Sequence, residues 1–247
     1  MIGIGLGLTT LRGGSVFNPA DLFGVGDNGA MFTVSPETCF TDTARTTAAG
    51  VGDPVAGLTD LSGGGNHGSQ GTLANRPILR QSGALYYLEF DGAGDWVAVT
   101  TGGLLGETWA HVGGWNSTAG LRFFATSQSF QGAPRQGAAI TEWYNSSGSF
   151  VSIATVSAGT DHVLTIEQAS TVSLSGRANG VTGSTITPAD DSAAGNQGLA
   201  LGSQSTSAGT NGLSGKFWGG VWIDRALTGA ERAATEAYFA DLAGVTL

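Results

Sequence analysis

Glu89 and Asp91 stand two apart in Leu88-Glu89-Phe90-Asp91. An extended chain therefore puts both carboxylates on one face and Phe90 on the other. A retaining glycosidase needs two carboxyl groups about 5–5.5 Å apart. A strand that presents them as Glu-x-Asp-x-x-Glu would carry a third carboxylate at position 94, where this chain has Gly94. Asp91, followed by Gly92, is also what a tight turn requires. His67, in Gly65-Asn66-His67-Gly68, has no second histidine at ligand spacing and reads as a hydrogen-bonding loop anchor. Cys39 is the only cysteine. It reads as a small buried side chain rather than a thiol served by His67, His111 or His162, and no intrachain disulfide can form. With no Ser-His-Asp or metal spacing, enzymatic activity is not expected.

The aromatic residues offer a second chemistry. The chain has six tryptophans. Flat indole and phenol faces serve as platforms for the C–H faces of sugars, with Asn, Asp and Gln reading the hydroxyls. Trp109, His111 and Trp115 share one face of a strand, and Asn116 follows. Trp143 and Tyr144 adjoin the turn Asn145-Ser146-Ser147-Gly148. Trp115, Asn116, Trp143, Tyr144 and Asn145 are therefore the candidate glycan-binding residues. Trp218 and Trp222 lie four apart and are assigned to the core.

The elements that must position these groups are strands. Of 247 residues, 42 are glycine and 40% are apolar. Glycine is far above the ~7% average, without a Gly-x-y period, which fits many tight turns between many strands. No apolar run approaches the ~20 residues of a membrane helix, so no membrane partner is expected. Net charge is −9, with only 10 Lys and Arg together. Lys216 is the sole lysine. No basic stripe is available for phosphates, so nucleic acid is not expected as a partner.

The N-terminus lacks a basic segment and no cleaved signal peptide is expected. In Met1–Leu11, Ile2, Ile4, Leu6 and Leu8 alternate with Gly3, Gly5 and Gly7. Such an arm has one apolar face and one bare backbone face, and it is expected to anchor on another protein chain. Residues 1–29 thus form an arm and connector, and residues 30–247 one domain. Strands are expected at 30–40, 88–99, 108–115, 121–126, 138–144, 150–156 and 162–167. Asn179-Gly180 makes a two-residue hairpin turn. The last strand, Phe217 to Ile223, runs into a helix over Leu227–Leu242. That helix is capped by Thr228 and Glu231, with Ala230, Ala233, Ala234, Ala237, Tyr238 and Leu242 as its apolar stripe and Gly244 as its stop.

Gly215-Lys216-Phe217-Trp218-Gly219-Gly220-Val221-Trp222-Ile223-Asp224-Arg225-Ala226-Leu227-Thr228, with Glu231-Arg232, resembles the final strand and helix of laminin-G-like domains in the concanavalin A-like lectin/glucanase superfamily. Asp60-Leu61-Ser62-Gly63-Gly64-Gly65-Asn66-His67-Gly68-Ser69 and Phe90-Asp91-Gly92-Ala93-Gly94-Asp95-Trp96-Val97 resemble its earlier loop and hairpin. Together with Gly5-Leu6-Gly7-Leu8-Thr9, they are similar to the form found in structural proteins of tailed bacteriophages. The resemblance covers residues 30–245. It implies an all-β, antiparallel two-sheet jelly roll with one C-terminal helix, its first and last strands side by side. It also implies calcium as an optional cofactor at the rim, with Asp60, Asp91 and Asp95 as candidate ligands. The role it implies is a virion structural protein, a decoration, fibre or adhesin. Such a protein would be anchored to other virion proteins by its arm, assemble as a homo-oligomer, a trimer in preference to other states, and bind a host-surface polysaccharide. A free carbohydrate-binding module or glycoside hydrolase of the same superfold is the alternative.

Overall fold

The computed structural model describes residues 17–99, 107–118, 120–126, 134–144, 147–188, 198–203 and 212–247. The anchoring residues Ile2, Ile4, Leu6 and Leu8 lie outside them. So do Asn145 and the side chain of Tyr144.

In chain order the strands are β1 (Gly29–Thr33), β2 (Cys39–Phe40), β3 (Gly57–Leu58), β4 (Gly68–Ser69), β5 (Ile78–Ser82), β6 (Leu85–Asp91), β7 (Val97–Val99), β8 (Trp109–Ser117) and β9 (Phe124–Ala125). They continue with β10 (Arg135–Gln136), β11 (Ile140–Tyr144), β12 (Phe150–Thr155), β13 (His162–Ser170), β14 (Ser173–Ala178), β15 (Val181–Ile186), β16 (Leu199–Leu201) and β17 (Ser214–Ile223). Two 3-10 turns cover Pro19–Leu22 and Leu73–Asn75, and one α-helix, α1, covers Gly229–Ala243.

The fold is an antiparallel all-β sandwich with three sheets, where two were expected. The largest runs β15-β14-β13-β8-β17-β6-β5, with β1 paired to β17 as well. Opposite it stands β2-β3-β4-β7-β16-β9, and a third sheet is β10-β11-β12. The third sheet docks through β12, which lies against β14 and β15 where glycines leave backbone room. A Cβ on Gly183 would collide with the Ile153 carbonyl oxygen, and one on Gly176 would come within 2.8 Å of it. The core between the sheets is aromatic. Trp115, Phe217, Trp222 and Phe124 are all fully buried there, and His111 stacks on Trp222 at 4.3 Å. His111 accepts from Trp115 Nε1 at 3.0 Å through Nε2 and donates through Nδ1 to the Val221 carbonyl, also at 3.0 Å. Burial holds this ring neutral, its pKa pushed down to about 3.

The first and last strands do pair, Gly29 with Ile223 through Thr33 with Gly219. Asn179 and Gly180 both have positive φ, 48° and 75°, the turn expected of Asn-Gly. The helix starts two residues later than expected. Thr228 accepts from the Glu231 backbone N–H while Glu231 reaches back, and Gly244 ends the helix at φ 67°. Its buried face is Thr235, Glu236, Phe239, Ala240 and Ala243, not the alanine stripe. Phe239 fills the space against Val112, Val221 and Ile223. Glu236 enters a buried contact with Thr165 (2.7 Å) and Arg177 (2.9 Å). The connector is also more than a tether. Leu22 packs in the helix-side core, and Arg225 binds the Leu22 carbonyl, Asp27 and Glu231.

Candidate functional site

Alternation along β6 sends Leu88 and Phe90 inward and Glu89 outward. The register then sets Glu89 beside Ile78 on β5 and Lys216 on β17, and Lys216 beside Asn116 on β8. Four strands thus place Ile78, Glu89, Lys216 and Asn116 in one row on the outer face. That row lies in an open groove of about 670 Å³, lined also by Leu73, Ala74, Arg76, Asp91, Asp95 and Ser214.

Each polar group in the groove has a defined setting. Arg80 Nε and Glu89 Oε2 pair at 2.7 Å, both nearly half exposed. Asn116 Nδ2 donates to the Gly159 carbonyl (2.9 Å) and to Asp161 Oδ1 (2.6 Å), which fixes the amide and turns its oxygen to other partners. Lys216 Nζ lies 3.5 Å from the same Asp161 oxygen and 5.3 Å from the rings of Tyr87 and Trp218. Arg76 is committed to structure, donating to the carbonyls of Gln70, Thr41 and Gly71. The Asp91–Asp95 turn is closed from within. The Ala93 N–H donates to Asp91 Oδ1 at 2.7 Å, and the Asp91 N–H to Asp95 Oδ2 at 3.1 Å. Burial pushes Asp95 up to about 6, and the nearby charges of Asp91 and Glu89 act in the same direction.

The structure redistributes the expected binding residues. Asn116 is in the groove. Trp115 and Trp143 are fully buried, so neither offers a face to a sugar. Trp115 points inward with Trp109 and His111, and Trp143 packs 5.9 Å from Trp109 beneath the third sheet. Trp218 and Trp222 are both buried but lie on opposite faces. A register shift between Phe217 and Gly219 turns Trp218 outward, onto Tyr87 at 5.7 Å. Gly219, at φ 149°, permits this, because a Cβ there would come within 2.6 Å of the Phe32 carbonyl. A bulge of this kind leaves no mark in an alternation count.

The calcium candidates do not fit that ion. Asp60 is saturated by protein donors, the backbone N–H groups of Met31, Ser62 and Asn66 and the Ser62 hydroxyl, at 2.7–2.9 Å. It organises its loop, and His67 accepts the Asp60 N–H at 3.1 Å. Asp91 and Asp95 each cap a backbone N–H of their own turn. Among the described residues no three His, Cys, Asp or Glu side chains gather where a metal could bind.

No protein-family model and no curated protein sequence matches the chain. Solved structures do. A GH54 α-L-arabinofuranosidase is similar over 92% of this chain and 66% of its own, at 13% identity and a TM-score of 0.54. Domain 4 of AbnA, a GH43 extracellular arabinanase from Geobacillus stearothermophilus solved with arabinotriose, is similar over 87% of this chain and 99% of that one, at 14% identity and a TM-score of 0.53. The binding domain of Paraclostridial Mosquitocidal Protein 1 is similar over 91% and 53%, at 10% identity and a TM-score of 0.54. Against Streptococcus pneumoniae NanB sialidase the chain spans 24% of the sialidase chain, at a TM-score of 0.40.

The shared property is a fold. It corrects the expectation that the chain is no enzyme, since chains of glycoside hydrolases share this sandwich. Gly94 removes one strand motif but leaves Glu89, Asp91 and Asp95 in a groove. None of these structures carries the phage-specific part of the resemblance.

Proposed function

We propose that the chain is a carbohydrate-binding domain that holds an oligosaccharide in the groove across β5, β6, β17 and β8. The observation that carries this reading is the cross-strand row Glu89–Lys216–Asn116. It sets a carboxylate, an ammonium and an oriented amide side by side in an open groove. Donors and acceptors so interleaved match vicinal hydroxyls, and their spacing is fixed by the sheet rather than by loops. The fold likeness to a domain solved with arabinotriose supports the reading and makes arabino-oligosaccharides the first ligands to try. Affinity electrophoresis in arabinan, xylan and β-glucan gels tests it. Retardation in at least one gel, weakened about 2–10-fold by Lys216→Ala and by Asn116→Ala, is expected from the loss of one or two hydrogen bonds. No retardation in any gel, or retardation unchanged in both variants, refutes it.

A second reading has its own observation. Burial raises the Asp95 carboxyl to about 6, and it shares the groove with Asp91 and Glu89; a carboxyl of raised pKa close to other carboxyls is the pairing that acid–base cleavage of glycosidic bonds uses. Release of reducing ends from the bound polysaccharide, abolished by Asp95→Asn, would establish a glycoside hydrolase. Binding without release rejects that role and leaves the binding domain. The virion placement rests on the sequence resemblance and on residues outside the described ones.

A further inference from the structure

Away from the groove row, a buried cation has no hydrogen bond from two of its nitrogens. Arg122 is 6% exposed, and its Nε and Nη1 are buried with no hydrogen-bond partner among the described residues. Arg122 and Arg135 face each other across an antiparallel bridge. Both guanidinium groups lie over one ring, with carbon-to-centroid distances of 4.5 Å for Arg122 and 4.0 Å for Arg135 on Phe150. Among the described residues, one carboxylate serves the pair. Glu142 is engaged with Arg135, at 2.6 Å to Nη2 and 2.8 Å to Nε. Two cations against one anion, partly out of water, is an arrangement that a further anion would complete.

We propose that Arg122 and Arg135, held on the ring of Phe150, bind an oxyanion borne by an acidic polysaccharide, the carboxylate of a uronic acid or a sulfate ester. Guanidinium groups match the planar oxygens of a carboxylate and the oxygens of sulfate, and their delocalised charge tolerates partial burial and ring stacking. Arg135 retains 30% side-chain exposure, which gives the anion a way in from solvent. Burial and the neighbouring Arg135 depress the Arg122 pKa to about 10, a sign of uncompensated positive charge, while leaving it ionised at neutral pH. The inference deepens the carbohydrate-binding reading and rests on it.

The test uses the full chain in affinity gels holding polygalacturonate, dextran sulfate or neutral arabinan, with Arg135→Gln, Arg122→Gln and Glu142→Gln as variants. Retardation by at least one acidic polymer is expected, falling about tenfold in Arg135→Gln and with added salt, and rising several-fold in Glu142→Gln. Retardation by polygalacturonate alone assigns the carboxylate, and by dextran sulfate alone the sulfate ester. A merely structural Arg135–Glu142 pair would make those two variants behave alike, and that result overturns the proposal. So does the absence of any acidic-polymer binding, or binding that Arg135→Gln leaves unchanged. Arg135→Gln decides alone if Arg122→Gln does not fold. Arabinan retention separates the two readings. If it persists in the arginine variants while acidic polymers are not preferred, the anion site fails and the groove stands. If neither arabinan, xylan nor β-glucan is bound but acidic polymers are, the groove fails and the anion site stands.

Discussion

Asp95→Asn should make the protein more stable at pH 8 and leave it unchanged near pH 3. Asp95 is 5% exposed, and its pKa rises from 3.8 to about 6. A folded-state pKa above the unfolded one means that the native state holds its proton more tightly. The carboxyl's contribution is therefore most favourable below pH 3.8 and is lost as pH rises through about 6. Above that, folding must bury an ionised carboxylate. Two units correspond to about 3 kcal/mol at ~1.4 kcal/mol each. Asparagine keeps an acceptor for the Asp91 N–H and removes the charge, so a gain of about 1–3 kcal/mol at pH 8 is expected. At about 2–4 °C per kcal/mol for a chain of this size, Tm should rise by roughly 2–10 °C. Urea unfolding of both proteins at pH 3, 5, 6.5 and 8 gives the difference directly and cancels the histidines. A difference independent of pH, or a loss at pH 8, would refute the assignment of a buried, proton-holding Asp95.

Three further outcomes follow from the packing. His111→Phe should cost about 2–3 kcal/mol by urea unfolding, because Trp115 Nε1 and the Val221 carbonyl lose their partner. Its folded pKa is depressed to about 3, so wild-type His111 favours the fold above its unfolded pKa of 6.5, and that contribution fades as pH falls towards 3. The destabilisation caused by His111→Phe should shrink over the same range. Glu236→Ala should cost about 2–3 kcal/mol at pH 7, since it removes the carboxylate that Arg177 and Thr165 share under the helix, and Glu236→Gln should recover part of it. Gly183→Ala should lower Tm by several degrees through the clash with the Ile153 carbonyl, and hydrogen exchange should rise first in β12 and β15. Uniform exchange across the molecule would show that the third sheet is not docked there.

The sequence by itself determined the local features, because each depends on neighbours along the chain. Alternation predicts strands over 108–115 and 217–223, which the structure has at Trp109–Ser117 and Ser214–Ile223; Asn179-Gly180 marks a hairpin turn, and Thr228 with Glu231 marks the helix start. Glu89 and Asp91 were legible as a carboxylate pair, and Asn116 as a binding candidate. Tertiary structure decided which face each residue serves. Trp115 and Trp143 are candidate platforms in the sequence because a tryptophan beside a turn looks alike from either side of a sheet, and burial takes them both. A single bulge at Trp218 reversed the relation of two tryptophans that a period of two had put together. The alanine stripe on the helix lost to Phe239 and Glu236, since burial follows the shape and charge of the opposing sheet rather than the helix's own composition. The groove row needed the register of four strands, and the Arg122–Arg135–Phe150 cluster needed segments that meet only when the third sheet docks. Contacts between residues far apart in the chain are fixed by register and packing, and neither is written in local pattern.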